Sequence, residues 1–210
     1  MGTPSGLKLY AVAAVEHAGV ESLAADTALV HYRDLAAIVE PASYAASKFD
    51  KTELERYAAV VEEAFRAAPI LPAPPGTTFK SHGTLSHWLE LHYFTLTDAM
   101  NLVEDHVAAR VSISANGKVQ EEKTAKSFKA LGADALRLLR GHAAATVMLP
   151  LTEDDAKENI VARASFLIGA DKWESFQHTV SQESRRQPAL DVALTGPWPP
   201  YDFVRMQFAG

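Results

Sequence analysis

Apolar residues recur along the chain with the spacing of strands in some stretches and of helices in others. Leu7–Ala14 is apolar at almost every position, which is typical of a strand buried on both faces. Strict alternation predicts that Leu9 and Ala11 lie on one face and Tyr10 and Val12 on the other. The sequence therefore opens with a central strand.

The rest of the first half alternates short apolar runs with helical periodicity. The predicted elements are a short helix at Gly19–Ala25, strands at Ala28–Tyr32 and Leu35–Glu40, a helix at Phe49–Ala67, a strand at Ala68–Ala73 and a long helix at Thr84–Asp105. Arg33 and Asp34 fit a tight turn between the two middle strands. The inward stripe predicted for the long helix comprises Leu85, Trp88, Leu89, His92, Leu96, Ala99, Leu102 and Val103.

The second half repeats the same order of elements. They are strands at Val107–Ser114, Ala145–Leu151, Asn159–Ile168 and around Leu190–Leu194, helices at Glu121–Arg140 and Asp171–Arg186, and a final strand marked by Val204, Met206 and Phe208. Each half reads β-α-β-β-α-β, the order of a ferredoxin-like unit. We predict an α+β fold of two such modules, residues 1–83 and 107–210, joined by the helix at 84–106.

Composition limits the chemistry that this chain can carry. It has 210 residues, a formal charge of −6 and no cysteine, which excludes disulfides, thiolate metal sites and cysteine nucleophiles. Apolar runs fall far short of the ~20 residues of a membrane span. No basic segment precedes a hydrophobic block at the start, so we expect a cytoplasmic protein. The negative charge argues against a nucleic-acid partner.

No residue pattern indicates a catalytic or cofactor site. His82, His87, His92 and His106 are separated by five, five and fourteen residues, whereas a helical ligand pair needs a spacing of four. Acidic pairs and the run Glu153–Asp155 are expected to be solvated, and no phosphate-binding or nucleophile-elbow motif occurs. We therefore predict no metal and no cofactor.

Two proline-rich stretches stand out instead. Pro69–Phe79 has the character of a rigid linker. Leu194–Phe203 contains Trp198 and Tyr201 on a stiffened loop, and both residue types are common in protein interfaces. These residues leave two hypotheses equally open: the loop contacts a partner, or Trp198 fills the space between the modules.

The second stretch carries a resemblance to a known family. Thr195–Tyr201 followed by Phe203 and Val204 resembles the C-terminal signature of the gas vesicle GvpF/GvpL proteins. Leu9–Val12, Ile70–Ala73 and Gly76–Phe79 resemble the opening strand and the central segment of that family, and Val161–Ile168 resembles a later strand. One departure is that Pro74 and Pro75 stand where family members usually carry Arg-Phe.

The resemblance implies a non-enzymatic, two-domain α+β accessory protein of gas vesicle formation. It implies binding to the small hydrophobic shell protein GvpA and to other accessory proteins. The candidate partner-binding residues are Trp198, Pro199, Pro200, Tyr201, Phe203 and Phe79. Two alternatives remain: a divergent paralogue that binds a small molecule between the modules as a sensor or enzyme, and an RRM-type nucleic-acid binder, which the negative charge disfavours.

Overall fold

The chain folds into two units, each built on one antiparallel sheet. The structure is a computed structural model that describes residues 6–15, 27–44, 50–116 and 122–204. Residue contacts group Met1–Glu104 with Pro199–Gly210 as the first unit and Asp105–Trp198 as the second. The predicted helix at 19–25 and the last predicted strand beyond Val204 lie outside the described residues.

The first unit contains five of the strands. Its elements are β1 (Gly6–Ala14), β2 (Ala28–Tyr32), β3 (Leu35–Ala42), α1 (Lys51–Ala67), β4 (Ile70–Pro72), β5 (Thr78–Phe79) and α2 (His82–Val103). The strand order is β2-β3-β1-β4, and β5 also pairs with β1. All pairings are antiparallel. The hairpin of β2 and β3 around Arg33 and Asp34 confirms the turn predicted there.

A β-bulge changes which side chains of β1 share a face. The register with β3 shifts between Leu9 and Ala11. Tyr10 and Ala11 consequently pack into the same cluster, whereas Leu9 and Val12 pack into the other. The strict alternation predicted from the sequence is therefore wrong after Leu9, because a bulge places one extra residue in the strand and reverses the phase beyond it.

Both faces of this sheet are covered by helices. Helix α1 follows the N-cap Asp50, whose carboxylate accepts from the Glu53 amide at 3.0 Å, and packs on the face that holds Tyr10. Helix α2 begins with a capping box between Ser81 and Thr84 and covers the face that holds Leu9. A strand with apolar residues on both faces thus needs two helices, and α2 supplies the second.

The proline-rich stretch is part of the sheet as well as a connection. Pro74–Thr77 forms a tight turn in which the Thr77 amide donates to the Pro74 carbonyl at 3.2 Å and Gly76 has φ +82°. Before the turn, β4 pairs with β1, and after it β5 does the same. The Pro74-Pro75 departure therefore occupies the turn that brings Phe79 back to the first strand.

The second unit has one sheet with its core on one side. Its elements are β6 (His106–Ala115), α3 (Glu122–Arg140), β7 (Ala145–Met148), α4 (Glu153–Lys157), β8 (Ile160–Gly169), α5 (Trp173–Arg186) and β9 (Leu190–Trp198). The strand order is β7-β8-β6-β9. Residues of α3 and α5, such as Leu139 and Phe176, form one cluster with Val111 and Phe166 of the sheet.

The acidic run at 153–155 is only partly solvated, which corrects the sequence prediction. It forms α4, and Asp155 is buried with both carboxylate oxygens bonded to the Arg163 guanidinium. Hydrogen bonds from Thr152, first from its backbone amide, and the Arg163 charge hold the pKa of Asp155 below its usual value. The pair ties α4 to β8.

The predicted α+β class is confirmed, with two antiparallel sheets and five helices among the described residues. The grouping of residues differs from the predicted boundaries at 83 and 106. Helix α2 belongs to the first unit because its inner stripe covers that unit's sheet, and Pro199 begins a return to the same unit.

Gly196 combines a positive φ with a close approach of neighbouring backbone. Its φ is +129°, and an added Cβ would lie 2.8 Å from the Ala108 carbonyl oxygen. We expect Gly196→Ala to lower the free energy of unfolding by about 1–3 kcal/mol, measured by urea denaturation. Gly83→Ala is the control, since its Cβ would meet nothing closer than 3.8 Å and should stabilise α2 by up to ~1 kcal/mol. Equal stability of the two variants would contradict this account.

Candidate protein-binding surfaces

The signature segment begins in the last strand of the second unit. Strand β9 continues through the cis Gly196–Pro197 peptide to Trp198, with a register shift against β6 near its end. The strand therefore extends beyond the predicted Leu190–Leu194, because a bulge in the pairing with β6 accommodates the irregularity at Gly196-Pro197. The Trp198 indole N–H donates to the Thr195 hydroxyl at 3.2 Å.

The aromatic and proline residues of this segment differ in accessibility. Trp198 is 41% exposed, whereas Pro199 and Pro200 are buried and Phe203 is half-buried. Within the first unit the Tyr201 ring lies 6.4 Å from the Tyr57 ring, centroid to centroid. Of the predicted partner-binding residues in this segment, Trp198 alone is exposed rather than buried or half-buried.

Tyr201 extends a row of tyrosines on the α1 side of the first sheet. Tyr57 stacks on the fully buried Tyr10 at 6.2 Å and donates its hydroxyl to the Ala73 carbonyl at 2.6 Å. Burial, aided by the negative charge of Glu62, raises the pKa of Tyr201 to about 12. Desolvation raises the pKa values of Tyr10 and Tyr57 further. Tyr201 thus anchors the returning segment to its own unit.

The remaining predicted residue, Phe79, lies at a groove between β5 and the start of α2. Its ring packs 5.6 Å from Trp88, which in turn lies 5.1 Å from His92. The cavity measures about 430 Å³. Its lining comprises Tyr44, Thr77, Thr78, Phe79, Lys80, Thr84, His87, Trp88, Leu91 and His92. We call this the α2 groove.

Beside the α2 groove, the solvent side of α2 carries large apolar side chains. Leu91 is 68% exposed and Phe94 is 78% exposed, and a spacing of three places them next to each other on the helix. Leu102, predicted to be inward, is 43% exposed further along the same helix. The helix contains no lysine or arginine. We call Leu91, Phe94 and Leu102 the α2 outer face.

Sequence reasoning missed Leu91 and Phe94. The signal was present, because neither residue belongs to the inward stripe that the helical period predicts for Thr84–Asp105. An apolar residue off that stripe either meets a second packing surface or stays exposed. Leu54 on α1 and Leu138 on α3 are also exposed, at 49% and 42%.

The described residues contain no group of three or more histidine, aspartate or glutamate side chains placed to hold a metal ion. A cavity of about 520 Å³ in the second unit is lined in part by Asp105, His106, His142, Asp171 and Lys172. A polar small molecule bound in this cavity would contact both acidic and basic side chains. No helix in the described ranges has the length and apolar character needed to cross a membrane.

Comparison with known proteins gives a consistent result over nearly the whole chain. The family described as "Gas vesicle synthesis protein GvpL/GvpF" matches residues 6–135 and 115–205. Gas vesicle protein F1 of Halobacterium salinarum is 25% identical over 186 residues, which cover 83% of this chain and 79% of that protein. Gas vesicle protein F2 of the same organism is 27% identical over 188 residues, covering 83% and 78%.

Solved structures share the fold. The crystal structure of the gas vesicle protein GvpF from Anabaena sp. PCC7120 superposes with a TM-score of 0.78 at 16% identity, covering 98% of each chain. That of GvpF from Microcystis aeruginosa gives a TM-score of 0.72 at 13% identity, covering 96% of this chain and all of the other.

The tyrosine row predicts loss of stability at alkaline pH. Because folding raises the pKa of Tyr201 from 10 to about 12, its contribution is complete below pH 10 and disappears as pH rises through 12. We expect the melting temperature to fall across this window, and Tyr201→Phe to resist that fall while matching the wild type at pH 7. Thermal melts from pH 7 to 12 test this, with Tyr44→Phe at an exposed tyrosine as the control. Parallel curves for Tyr201→Phe and the wild type would contradict the burial of this hydroxyl.

Proposed function

The chain belongs to the gas vesicle GvpL/GvpF family, and from this premise we propose that it is a non-enzymatic accessory protein that binds the shell protein GvpA and other accessory proteins during assembly. Family membership itself supports a role in gas vesicles. The identity of the direct partner is the proposed part. We place the protein in the cytoplasm and at the gas vesicle.

The observation that carries this proposal is the α2 outer face with its adjoining groove. Leu91 and Phe94 have greater exposed fractions than the other large hydrophobic side chains among the described residues. Scattered surface leucines need no explanation, but two adjacent exposed side chains beside an apolar groove are typical of a protein interface. Full burial of each would stabilise a complex by about 1.5–3 kcal/mol.

The physical role follows from the chemistry of such a partner. A small hydrophobic subunit exposes apolar surface before it is incorporated into a shell, and apolar surfaces in water associate without specificity. A helix face that covers part of this surface would keep the subunit in solution. Because the covering residues lie on a packed helix, little conformational entropy is lost on binding.

Trp198 supplies a second candidate contact. Its exposed ring follows the rigid Gly196–Pro197 segment, and its N–H already has an intramolecular acceptor. Tryptophan residues in this kind of setting often carry a large share of the binding energy. Pro199, Pro200 and Tyr201 contribute by holding the segment, since they are buried or packed within the first unit.

We further propose that both units are ferredoxin-like. In each sheet the first strand is central and antiparallel to both of its neighbours, with orders β2-β3-β1-β4 and β7-β8-β6-β9. This order agrees with a βαββαβ unit, which hosts many functions. A ferredoxin-like fold therefore describes the architecture of the two units, and the function has to be argued from their surfaces.

The small-molecule alternative gives a different expectation. A sensor or enzyme would retain a ligand, and the cavity of the second unit beside His106 and His142 is a place in the described structure where one can be sought. Our proposal predicts that native mass spectrometry of the purified protein shows the mass of the chain alone. A bound molecule that His142→Ala removes would favour the alternative.

The α2 outer face should be required for binding of the shell protein. We expect the double variant Leu91→Ser/Phe94→Ser to weaken binding to GvpA by on the order of 30-fold or more, the effect of losing about 2 kcal/mol of interface energy. The double variant should also fail to keep GvpA out of the sedimented fraction on co-expression. Titration calorimetry and sedimentation measure the two effects.

Leu54→Ser is the matched control for that experiment. Leu54 is an exposed leucine on α1 of the same unit, so the chemical change is similar and the site differs. Wild-type melting temperatures for all variants establish that the fold is intact. Equal affinity of the double variant and the control for GvpA would remove the α2 outer face from the interface.

Trp198→Ala tests the second contact. Because 41% of the residue is exposed, we expect the variant to remain folded yet to bind GvpA or an accessory protein at least tenfold more weakly. A variant at Tyr201 is unsuitable here, since it would also release the segment from Tyr57. Unchanged binding to every partner tested would show that Trp198 has no role in recognition.

A further inference from the structure

Strand β9 forms an edge of the second sheet, and its main-chain groups can be assigned to its two sides. The Asn116 amide donates to the Ala189 carbonyl at 2.8 Å, which makes this pair hydrogen-bonded in the antiparallel ladder. Hydrogen-bonded and non-hydrogen-bonded pairs alternate along the ladder from this point. Asp191, Ala193 and Thr195 therefore bond to β6. The amide and carbonyl groups of Val192 and Leu194 point away from the sheet.

These outward groups have no hydrogen-bond partner among residues 6–15, 27–44, 50–116 and 122–204. The Leu190 amide points the same way but donates to the Gln187 carbonyl at 2.9 Å, so the open row starts at Val192. Natural edges are commonly protected by lysine, proline, a short strand or a bulge. Residues 190–195 contain no proline, and their one charged residue is Asp191. The other edge strand, β7, is protected by its shortness, since it has four residues.

A groove runs beside this edge, between β9 and α5. It measures about 500 Å³ and is lined by Gln177, Val180, Ser181, Ser184, Arg185, Val192 and Leu194. Val192 and Leu194 direct their side chains to the α5 side, where they pack with the core cluster. Arg185 is exposed and is the one ionisable residue in the lining. The groove therefore offers mainly hydroxyl, amide and guanidinium groups, because Val180 and Val192 in its lining are buried.

We infer that β9 binds an extended segment of another protein, which adds a fifth strand to the second sheet. Only a strand presents amide and carbonyl groups at the spacing of Val192 and Leu194, so the edge itself selects this occupant. In the added strand, the two residues opposite Val192 and Leu194 direct their side chains into the groove. The residue between them directs its side chain to solvent, beside Ala193. The segment thus places two small hydrogen-bonding side chains in the groove, with a carboxylate next to Arg185.

This inference does not depend on the proposed gas vesicle role. It concerns a site in the second unit, whereas the α2 outer face lies in the first. The test accordingly uses a synthetic peptide rather than a gas vesicle protein. The probe is a seven-residue peptide that alternates threonine and valine and ends in glutamate, labelled with fluorescein at its N-terminus.

We expect saturable binding of this peptide with a dissociation constant below about 1 mM, measured by fluorescence anisotropy. Amide hydrogen exchange followed by NMR should show fast exchange at Val192 and Leu194 in the free protein and slower exchange with peptide. Ala193, which bonds to β6, should be protected in both states. A peptide N-methylated at its two central β9-facing residues keeps the side chains, loses the donors and should bind at least tenfold more weakly.

Two protein variants provide a matched pair. Val192→Pro removes an outward N–H of β9 and should abolish peptide binding, whereas Met148→Pro removes an outward N–H of the other edge strand, β7, and should bind the peptide like the wild type. If Val192→Pro fails to fold, the N-methylated peptide on the wild-type protein gives the same information. Absence of binding at 1 mM peptide, equal binding of the N-methylated peptide, or binding without protection of Val192 and Leu194 would overturn the inference.

Discussion

The sheet of the first unit is buried on both faces, and this constraint determines where the exposed apolar residues lie. Leu9 and Val12 on one face and Tyr10 on the other are fully buried, so water is excluded from both sides of β1. The inner stripe of helix α2 covers one of these faces. Because a helix has a fixed period, that packing fixes the direction of Leu91 and Phe94 toward solvent. The candidate interface is therefore a consequence of the core.

The returning C-terminal segment depends on the same sheet. Tyr201 joins the tyrosine row on the α1 side, and its burial holds the residues that follow Trp198. The family signature thus combines two roles. Gly196 and Tyr201 satisfy steric and packing demands, whereas the Trp198 ring is only partly covered by its own unit, with 41% of the residue exposed.

Most elements could be predicted from the sequence because their apolar period is strong, as in α1 and β6. The errors arise where tertiary context changes the phase. The bulge at Tyr10 has no local sequence signal. Leu102 was assigned to the inward stripe of α2, but Met100 and Val103 fill the buried positions of that turn. Asp155 was predicted to be solvated because its partner Arg163 lies on a different element. Leu91 and Phe94 stood outside the inward stripe, but exposure itself becomes visible only once the packing of α2 is known.

Photocrosslinking tests the central claim most directly. A photoreactive phenylalanine analogue at position 94, in cells that also produce the gas vesicle proteins, reports which molecule touches the α2 outer face. The same analogue at position 54 on α1 is the control. The account predicts a covalent adduct with GvpA from position 94 and none from position 54. Adducts of equal yield at both positions, or an absence of GvpA from the position 94 products, would contradict it.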